Sequence, residues 1–201
     1  MKYLGSKTIE TERLILKAMT MEEQHYLWSV LMIPEVNRYY LTVPSKFREK
    51  LKDWETQKVY YEGDIEHAND PDVFRWSVFL KETGECIGKV GCHLSSSEGY
   101  DTDNPASRGV GWYLDPKQSG KGYGYEAAKA MMDYMFGECE IDEIRTGAAI
   151  INPASWKIME KYGFERLDET KMVYYTYLDE PVEDYQYYIT REMYLEKNTN
   201  E

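Results

Sequence analysis

The chain has 201 residues, of which 42% are hydrophobic and 30% charged, a length and composition typical of one globular domain with its own core. It contains 24 Lys and Arg residues and 36 Asp and Glu residues, which gives a formal net charge of −12. Nucleic acids and anionic membranes require a cationic surface, so this balance argues against both as the main partner. It is compatible with a cationic partner, although most acidic surfaces serve solubility alone.

Cysteine usage and the N-terminal residues indicate a cytoplasmic protein. Cys86, Cys92 and Cys139 contain no Cys-x-x-Cys pair, which argues against a disulfide framework and a zinc ribbon, and no metal is expected. Residues 1–7 lack the apolar core of a signal peptide, and no stretch approaches the about 18 apolar residues that a membrane span needs. We therefore expect reduced thiols and no membrane segment.

The hydrophobic pattern predicts one α/β domain over residues 1–201. In chain order it indicates a strand, two helices, three strands, a helix, a strand, a helix and two strands. The strands are expected at residues 13–17, 74–80, 86–94, 108–114, 143–151, 164–178 and 184–194. The helices are expected from residue 20 toward 34, within 45–62, after 124 and from 152 to 163. The polar residues 95–107 are expected to form a loop.

A glycine-rich segment follows the strand at 108–114 and precedes an amphipathic helix. Its glycines alternate at Gly120, Gly122 and Gly124. Successive backbone N–H groups in such a loop converge on one point, the helix N-terminus adds partial positive charge, and glycine lets an anion approach the backbone. The segment therefore predicts an anion cradle suited to a pyrophosphate. Its spacing matches neither the Walker A loop nor the GxGxxG fingerprint, and a glycine-rich turn without a ligand is the alternative.

The glycine-rich segment and a second segment at residues 152–164 together resemble the acyl-CoA-binding motifs of the GNAT superfamily of N-acetyltransferases. The chain is most similar to the branch of the ribosomal-protein N-terminal acetyltransferases (Rim type). Residues 9–16 match the opening strand of that branch, residues 109–114 the strand before the loop, and residues 122–127 the start of the helix. The match covers residues 8–195. It implies a GNAT-like α+β fold with a mixed, mostly antiparallel sheet of about seven strands flanked by about four helices.

The resemblance implies acetyl-CoA as the acetyl-donor cosubstrate and assigns residues to it. Backbone amides from Ser119 to Gly124 would hold the pyrophosphate, and the backbone amide of Tyr113 would polarise the thioester carbonyl. The cofactor-binding residues implied in this way are Trp112, Tyr113, Leu114, Ser119, Gly120, Lys121, Gly122, Tyr123, Gly124, Asn152 and Ser155. Ser119 departs from the family consensus, which has Arg or Gln at this position. Asn152 is explained equally well as the N-cap of a helix.

Acyl transfer to an amine requires that the ammonium lose a proton and that the departing CoA thiolate gain one. The tyrosine that protonates the thiolate in many GNAT enzymes is replaced by Met159, whereas Ser155 matches the serine that the Rim-type branch uses. A serine at this position of a helix is also a common structural residue, and Tyr162 is expected in the core. The general base stays open, with His93, Tyr174 or Tyr175, an Asp or Glu within residues 179–184, and water as the candidates.

The chain has 19 tyrosines, many of them on the two strands expected near the C-terminus. Some of these side chains must be core or surface residues of the sheet. The others stand beside carboxylates, and aromatic faces together with carboxylates suit an ammonium group. The residues expected to bind the acceptor are Tyr174, Tyr175 and Glu180, with Glu98, Asp101 and Asp103 of the polar loop as additions.

These features predict an acetyl-CoA-dependent N-acetyltransferase that transfers the acetyl group directly to a primary amine, either a protein N-terminus or a cationic small molecule. The three cysteines have no recognisable histidine partner, so no acyl-enzyme is expected. A catalytically inactive acyl-CoA-binding sensor or scaffold is the alternative, because Gly109, Ser119 and Met159 depart from the family pattern. A purely structural protein is a further alternative, and both a monomer and a homodimer stay open.

Overall fold

The computed structural model of the protein describes residues 1–94, 104 and 106–199. These residues form eight β-strands and seven α-helices. The strands are β1 (Ile9–Glu10), β2 (Leu14–Ala18), β3 (Phe74–Leu80), β4 (Cys86–Leu94), β5 (Arg108–Leu114), β6 (Glu143–Ala149), β7 (Glu165–Tyr175) and β8 (Glu180–Thr190). The helices are α1 (Met21–Leu31), α2 (Pro34–Asn37), α3 (Arg48–Lys52), α4 (Trp54–Glu66), α5 (Tyr123–Gly137), α6 (Pro153–Tyr162) and α7 (Arg191–Thr199). The predicted α+β architecture is confirmed.

The structure contains more elements than the sequence predicted. β1 and α2 are too short to produce a periodic signal. The helix expected within residues 45–62 is broken at Asp53, which has an extended backbone and accepts a hydrogen bond from the Thr56 N–H at 3.1 Å, so that α4 starts there. The last strand ends at Thr190, because its hydroxyl accepts from the Met193 N–H at 3.3 Å and the chain continues as α7.

The strands form one sheet with the order β1-β2-β3-β4-β5-β6-β8-β7. Neighbouring strands are antiparallel except β5 and β6, which run parallel and, among the described residues, pair at Arg108 and Ile144 alone. Beyond this pair the two strands have no backbone ladder, and the Thr146 hydroxyl donates across the gap to the Val110 carbonyl at 3.2 Å. The sheet is therefore open between β5 and β6. We call this opening, which runs from that pair to Leu114 and Ala149, the β5–β6 slot.

The main core lies between the sheet and the helices α5 and α6. Ala127, Met131 and Met135 of α5 are fully buried against Trp76 and Val90 of the central strands. They recur at intervals of four residues, which places them on one face of the helix. Burying each large apolar side chain contributes about 1.5–3 kcal/mol, so this face holds α5 and the loop before it against the sheet.

The opposite face of the sheet is covered by α1 and by the segment that follows it. Leu27, Val30 and Leu31 of α1 pack on Tyr113 of β5 in a second apolar cluster. This face of β5 is therefore covered near the slot by aromatic and aliphatic side chains. Within the described ranges, no helix has the length and apolar character needed to cross a membrane.

Candidate active site

The glycine-rich loop connects the end of β5 to the start of α5. The Asp115 carboxylate accepts from the Lys117 N–H at 2.9 Å and caps a short 3₁₀ turn, Pro116–Gln118. Gly120 and Gly122 then have φ angles of +76° and +82°, which side-chain-bearing residues rarely adopt. A Cβ on Gly124 would lie 3.4 Å from Leu114 and 3.5 Å from Ile158 of α6. The loop therefore starts α5 directly beside the open end of the β5–β6 slot.

Five consecutive N–H groups of this loop lack an acceptor in the part of the chain that the structure describes. The Ser119 N–H donates to the Pro116 carbonyl at 3.0 Å, whereas the N–H groups of residues 120–124 form no such bond. Unpaired N–H groups at a helix N-terminus form an anion site, because they donate hydrogen bonds and carry the positive end of the helix dipole. The geometry thus narrows the predicted cradle to Gly120–Gly124 and removes the Ser119 amide from it.

Arg13, between β1 and β2, holds the loop from its other side. Its guanidinium donates to the Lys121 carbonyl at 2.9 Å and to a Glu126 carboxylate oxygen at 2.6 Å. The second Glu126 oxygen accepts from the Arg13 N–H at 2.9 Å and from the Thr11 hydroxyl at 2.6 Å. Burial alone would raise the pKa of Glu126, but these hydrogen bonds and the Arg13 charge lower it. No local sequence pattern predicts this role for Arg13, because Lys121 and Glu126 are more than 100 positions away in the chain.

The backbone of β5 presents alternate residues to β4 and to the slot. The Asp115 N–H donates to the Ile87 carbonyl of β4 at 2.8 Å, and the Val110 carbonyl faces β6. Because β4 and β5 keep one register throughout, the Tyr113 N–H points to β4, and those of Trp112 and Leu114 point into the slot. This corrects the expectation that the Tyr113 amide polarises a thioester in the slot. Residue spacing alone did not reveal which edge of β5 each amide faces.

The start of α6 lies on the other side of the slot, directly after β6. Asn152 occupies the N-cap position and Pro153 follows it, as the sequence predicted, but the Asn152 side chain caps no described N–H group. The Asn152 carbonyl accepts from the Ser155 N–H at 3.1 Å. The Ser155 hydroxyl is half-buried and forms no hydrogen bond to a described residue. Both side chains are therefore free to contact a ligand at the slot.

Two other side chains of α6 cannot act as proton donors at the slot. Met159 is 1% exposed and lies in the core. Tyr162 is also buried, and its hydroxyl donates to Asp133 of α5 at 3.0 Å, which confirms its predicted place in the core. Burial raises the pKa of Tyr162 far above its ordinary value. Ser155 is thus the candidate acid that the geometry of α6 supports.

His93 lies one strand away from the slot. It is half-buried on β4 and stands opposite Gly109, so β5 separates its strand from the slot. Its position along β4 is four residues, or about 13 Å, from Lys89, the residue opposite Tyr113. The structure gives His93 no direct place at the edge of the slot, and its role as a base stays a prediction.

Of the three residues that were expected to bind the acceptor, Tyr175 of β7 and Glu180 of β8 stand opposite each other in the strand register, whereas Tyr174 faces away from them. Tyr175 is buried and donates its hydroxyl to Asp184 of β8 at 2.7 Å. Tyr174 is adjacent to it on β7 and therefore faces the other side of the sheet, where its hydroxyl donates to Asp179. Glu180 is exposed at the start of β8. Of the three, only Tyr175 borders a buried polar group, and Glu98, Asp101 and Asp103 lie outside the described residues.

The three cysteines lack the surroundings of a nucleophile. Burial raises the pKa of Cys86 to about 12 and also raises that of Cys139. Cys92 is buried in the core under α5. Because the thiolate is the reactive form, a buried thiol with a raised pKa is a poor nucleophile near neutral pH.

Comparisons with known proteins agree with this geometry. The Acetyltransferase (GNAT) domain family matches residues 13–165. An uncharacterised N-acetyltransferase, p20 from Bacillus licheniformis, is 27% identical over 164 residues, which cover 80% of this chain and 83% of p20. A ribosomal-protein-S5-alanine acetyltransferase from Vibrio fischeri has a similar fold (TM-score 0.72, 16% identity, 93% of this chain and 98% of that chain). So has a spermidine N-acetyltransferase from Vibrio cholerae in complex with CoA and spermine (TM-score 0.71, 18% identity, 92% and 99%).

The sheet that opens between β5 and β6 and the glycine loop at the start of α5 are arranged as the predicted fold requires. The family match covers most of the chain, and the chain belongs to the GNAT acetyltransferase family. It is an N-acetyltransferase. The likeness to the two Vibrio enzymes shows the shared fold, and the resemblance to the Rim-type branch is compatible with it.

Proposed function

We propose that the protein transfers an acetyl group from acetyl-CoA directly to a primary amine. The observation that carries this proposal is the row of five N–H groups at residues 120–124, which lack an acceptor among the described residues and stand at the open end of the β5–β6 slot. A pyrophosphate satisfies such a row. Lys121, whose ammonium lies 2.7 Å from the Gln118 side chain, adds a positive charge beside it.

Different groups at the slot would act on the thioester carbonyl and on the departing sulfur. The slot-facing N–H groups of Trp112 and Leu114 would pair with the pantetheine arm and stabilise negative charge on the carbonyl oxygen. Acetyl-CoA supplies an activated acyl group when bound. The Ser155 hydroxyl would give a proton to the departing sulfur, and Asn152 would contact the cofactor from the start of α6. We propose that the whole chain is one catalytic domain with its core at residues 8–195. We further propose that the protein acts in the cytoplasm.

The acceptor is proposed to be a cationic amine. The two Vibrio enzymes are named for acceptors of two kinds, an alanine of ribosomal protein S5 and spermidine. Both present a primary amine, and the acidic character of this chain suits either one. Cys92 and Cys139 are buried, and burial raises the pKa of the partly exposed Cys86 to about 12, which supports direct transfer without an acyl-enzyme.

Calorimetry with acetyl-CoA tests the assignment of the loop. We expect the wild-type chain to bind acetyl-CoA and Gly122→Trp to lose at least about tenfold in affinity, because the new side chain fills the anion cradle. Gly84→Trp is the matched control: Gly84 has a similar φ of +72° in the β3–β4 turn, which is not part of the glycine loop, and nothing lies within 4 Å of a Cβ there. Equal affinity of both variants and the wild type would contradict the loop assignment.

Release of free CoA thiol then separates the enzyme from a sensor of the same fold. The probes are spermidine and two hexapeptides that begin with alanine and serine. We expect thiol release that depends on at least one of these amines. Tight acetyl-CoA binding without amine-dependent thiol release would instead support the catalytically inactive sensor. The departures of Ser119 and Met159 from the family pattern favour that alternative.

A further inference from the structure

Asp184 of β8 is a buried carboxylate with one unpaired oxygen. The residue is 4% exposed, and its Oδ2 accepts from the Tyr175 hydroxyl at 2.7 Å. Its Oδ1 is buried and has no hydrogen-bond partner among the described residues. Burial raises the pKa of this carboxyl to about 6, against the opposing effects of Tyr175 and Lys171. A buried, half-satisfied carboxylate costs stability, so its presence calls for a ligand or a reaction that uses it.

The sheet register brings Asp184 to the slot. Asp184 stands directly opposite Ala149, the last residue of β6, and opposite residues of antiparallel strands point to the same face. Counting along the parallel strands from Arg108 and Ile144, Trp112 is level with residue 148. The Asp184 carboxylate therefore lies beside the slot at the height of the β5 amides that face it. The small Ala149 is the one residue of β6 that stands between Asp184 and the slot in this register.

Aromatic ring pairs lie on both sides of the slot, one of them next to Asp184. Tyr39 contacts Tyr175 edge-on, with ring centroids 6.4 Å apart, and the next residue, Tyr40, contacts Tyr113 of β5 in the same way at 4.9 Å. The Thr176 N–H donates to the Leu41 carbonyl at 2.9 Å and ties the β7–β8 hairpin to this segment. The segment after α2 thus spans from β5 to β7 over the slot. Aromatic faces beside a carboxylate favour an ammonium group.

On the basis of the function proposed above, we propose that Asp184 receives the ammonium group of the acceptor on Oδ1 and takes one of its protons. The products of that step are a neutral amine and a neutral carboxyl group. The amine then attacks the thioester carbonyl, so that the C–N bond forms and the C–S bond breaks with its electron pair on sulfur. The nitrogen gives up a second proton, which ends on sulfur as the CoA thiol. Asp184 returns its proton to water, so each turnover releases one proton.

The variant that tests this proposal is Asp184→Asn, which removes the charge but keeps an oxygen for the Tyr175 hydroxyl. We expect kcat/KM for the amine that the wild type acetylates to fall at least about 100-fold. The affinity for acetyl-CoA should stay within about twofold, because the cradle at residues 120–124 is untouched. The melting temperature at neutral pH should be equal to or higher than that of the wild type, because the buried charge is gone.

The matched control is Glu165→Gln. Glu165 accepts from the Tyr188 hydroxyl at 2.6 Å, a tyrosine–carboxylate pair on the same hairpin but at the surface. We expect this variant to keep the wild-type kcat/KM. Tyr175→Phe removes the other partner of Asp184 and should reduce kcat/KM less than Asp184→Asn does, because the carboxylate that takes the proton remains.

The results distinguish this proposal from the proposed function. A wild type that acetylates none of the probe amines overturns both. An active wild type with an equally active Asp184→Asn variant overturns the role of Asp184 alone. The same holds if Asp184→Asn and Tyr175→Phe lose activity equally and melt at lower temperature, because Asp184 would then act as a structural support for Tyr175.

Discussion

Ser155 combines three properties that a proton donor needs. It is the third residue of α6, which starts at the edge of the slot, and its hydroxyl is half-buried without a described hydrogen-bond partner. Met159, one turn further along the helix, is enclosed in the core. A tyrosine at that position would have to replace a packed core side chain here. The proton donor that we propose therefore lies in the first turn of the helix.

Replacing Ser155 by alanine tests this role. We expect kcat to fall about 10- to 100-fold, because the departing thiolate loses its proton donor. The affinity for acetyl-CoA, measured by calorimetry, should change by less than about threefold, and the unfolding free energy by less than about 0.5 kcal/mol, because no intramolecular hydrogen bond is lost. Ser155→Thr keeps the hydroxyl and should retain more activity. An unchanged kcat in Ser155→Ala would exclude Ser155 as the acid.

At the scale of elements, the glycine loop depends on the connection between β1 and β2. Arg13 donates to the Lys121 carbonyl inside the loop and forms a paired hydrogen bond with Glu126 in the first turn of α5. Its guanidinium also lies 3.4 Å from the position that a Cβ on Gly122 would take. The connection between β1 and β2 thereby positions the glycine loop, which follows the C-terminal end of β5. A loop with free N–H groups needs such support, because those groups are not held by hydrogen bonds within the chain.

Replacing Arg13 by alanine should loosen the cradle without unfolding the protein. We expect the dissociation constant for acetyl-CoA to rise about tenfold, because the free loop must first be ordered, while kcat at saturating acetyl-CoA changes by less than about threefold. Lys81→Ala is the control, since Lys81 forms an ion pair with Glu10 at 3.0 Å near the same edge and does not touch the loop. Unchanged binding by Arg13→Ala would show that the loop keeps its shape without this residue.

At the scale of the whole molecule, the net charge of −12 repels anions, whereas the cradle at residues 120–124 is suited to bind one. Neutral backbone N–H groups form most of the cradle, so an acidic protein can hold a pyrophosphate without a large basic patch. The remaining acidic surface attracts cations over distances of about 10 Å at moderate salt. The overall charge would therefore favour the encounter with the cationic acceptor that we propose.

This charge predicts a salt effect on the acceptor. We expect kcat/KM for spermidine to fall several-fold as sodium chloride rises from about 20 mM to about 300 mM, because screening weakens attraction between exposed charges. A peptide with a single ammonium group should show a smaller decrease under the same conditions. Equal salt dependence of the two amines would show that the net charge does not guide the acceptor to its site.

Features that depend on a few neighbouring residues were predicted from the sequence. The alternating glycines, the Asn152–Pro153 helix start and the buried face of α5 each carry their signal within one or two turns of chain. The additional elements were missed because two of them are very short and others start at single capping residues, such as Asp53 and Thr190. Local sequence patterns therefore predicted the fold class, the family resemblance and the position of the loop.

The direction of the β5 amides, the link from Arg13 to the loop and the burial of Asp184 were decided by the tertiary structure. Each depends on strand register or on partners far apart in the chain: Asp184 became a buried carboxylate beside the slot because β8 pairs with β6 so that it faces Ala149. Adjacent strand residues point to opposite faces, so a shift of one residue would exchange Tyr174 for Tyr175 and the Tyr113 amide for that of Trp112. The sequence by itself determined the family, the fold class and the position of the glycine loop. Long-range strand pairing determined which atoms face the slot beside that loop.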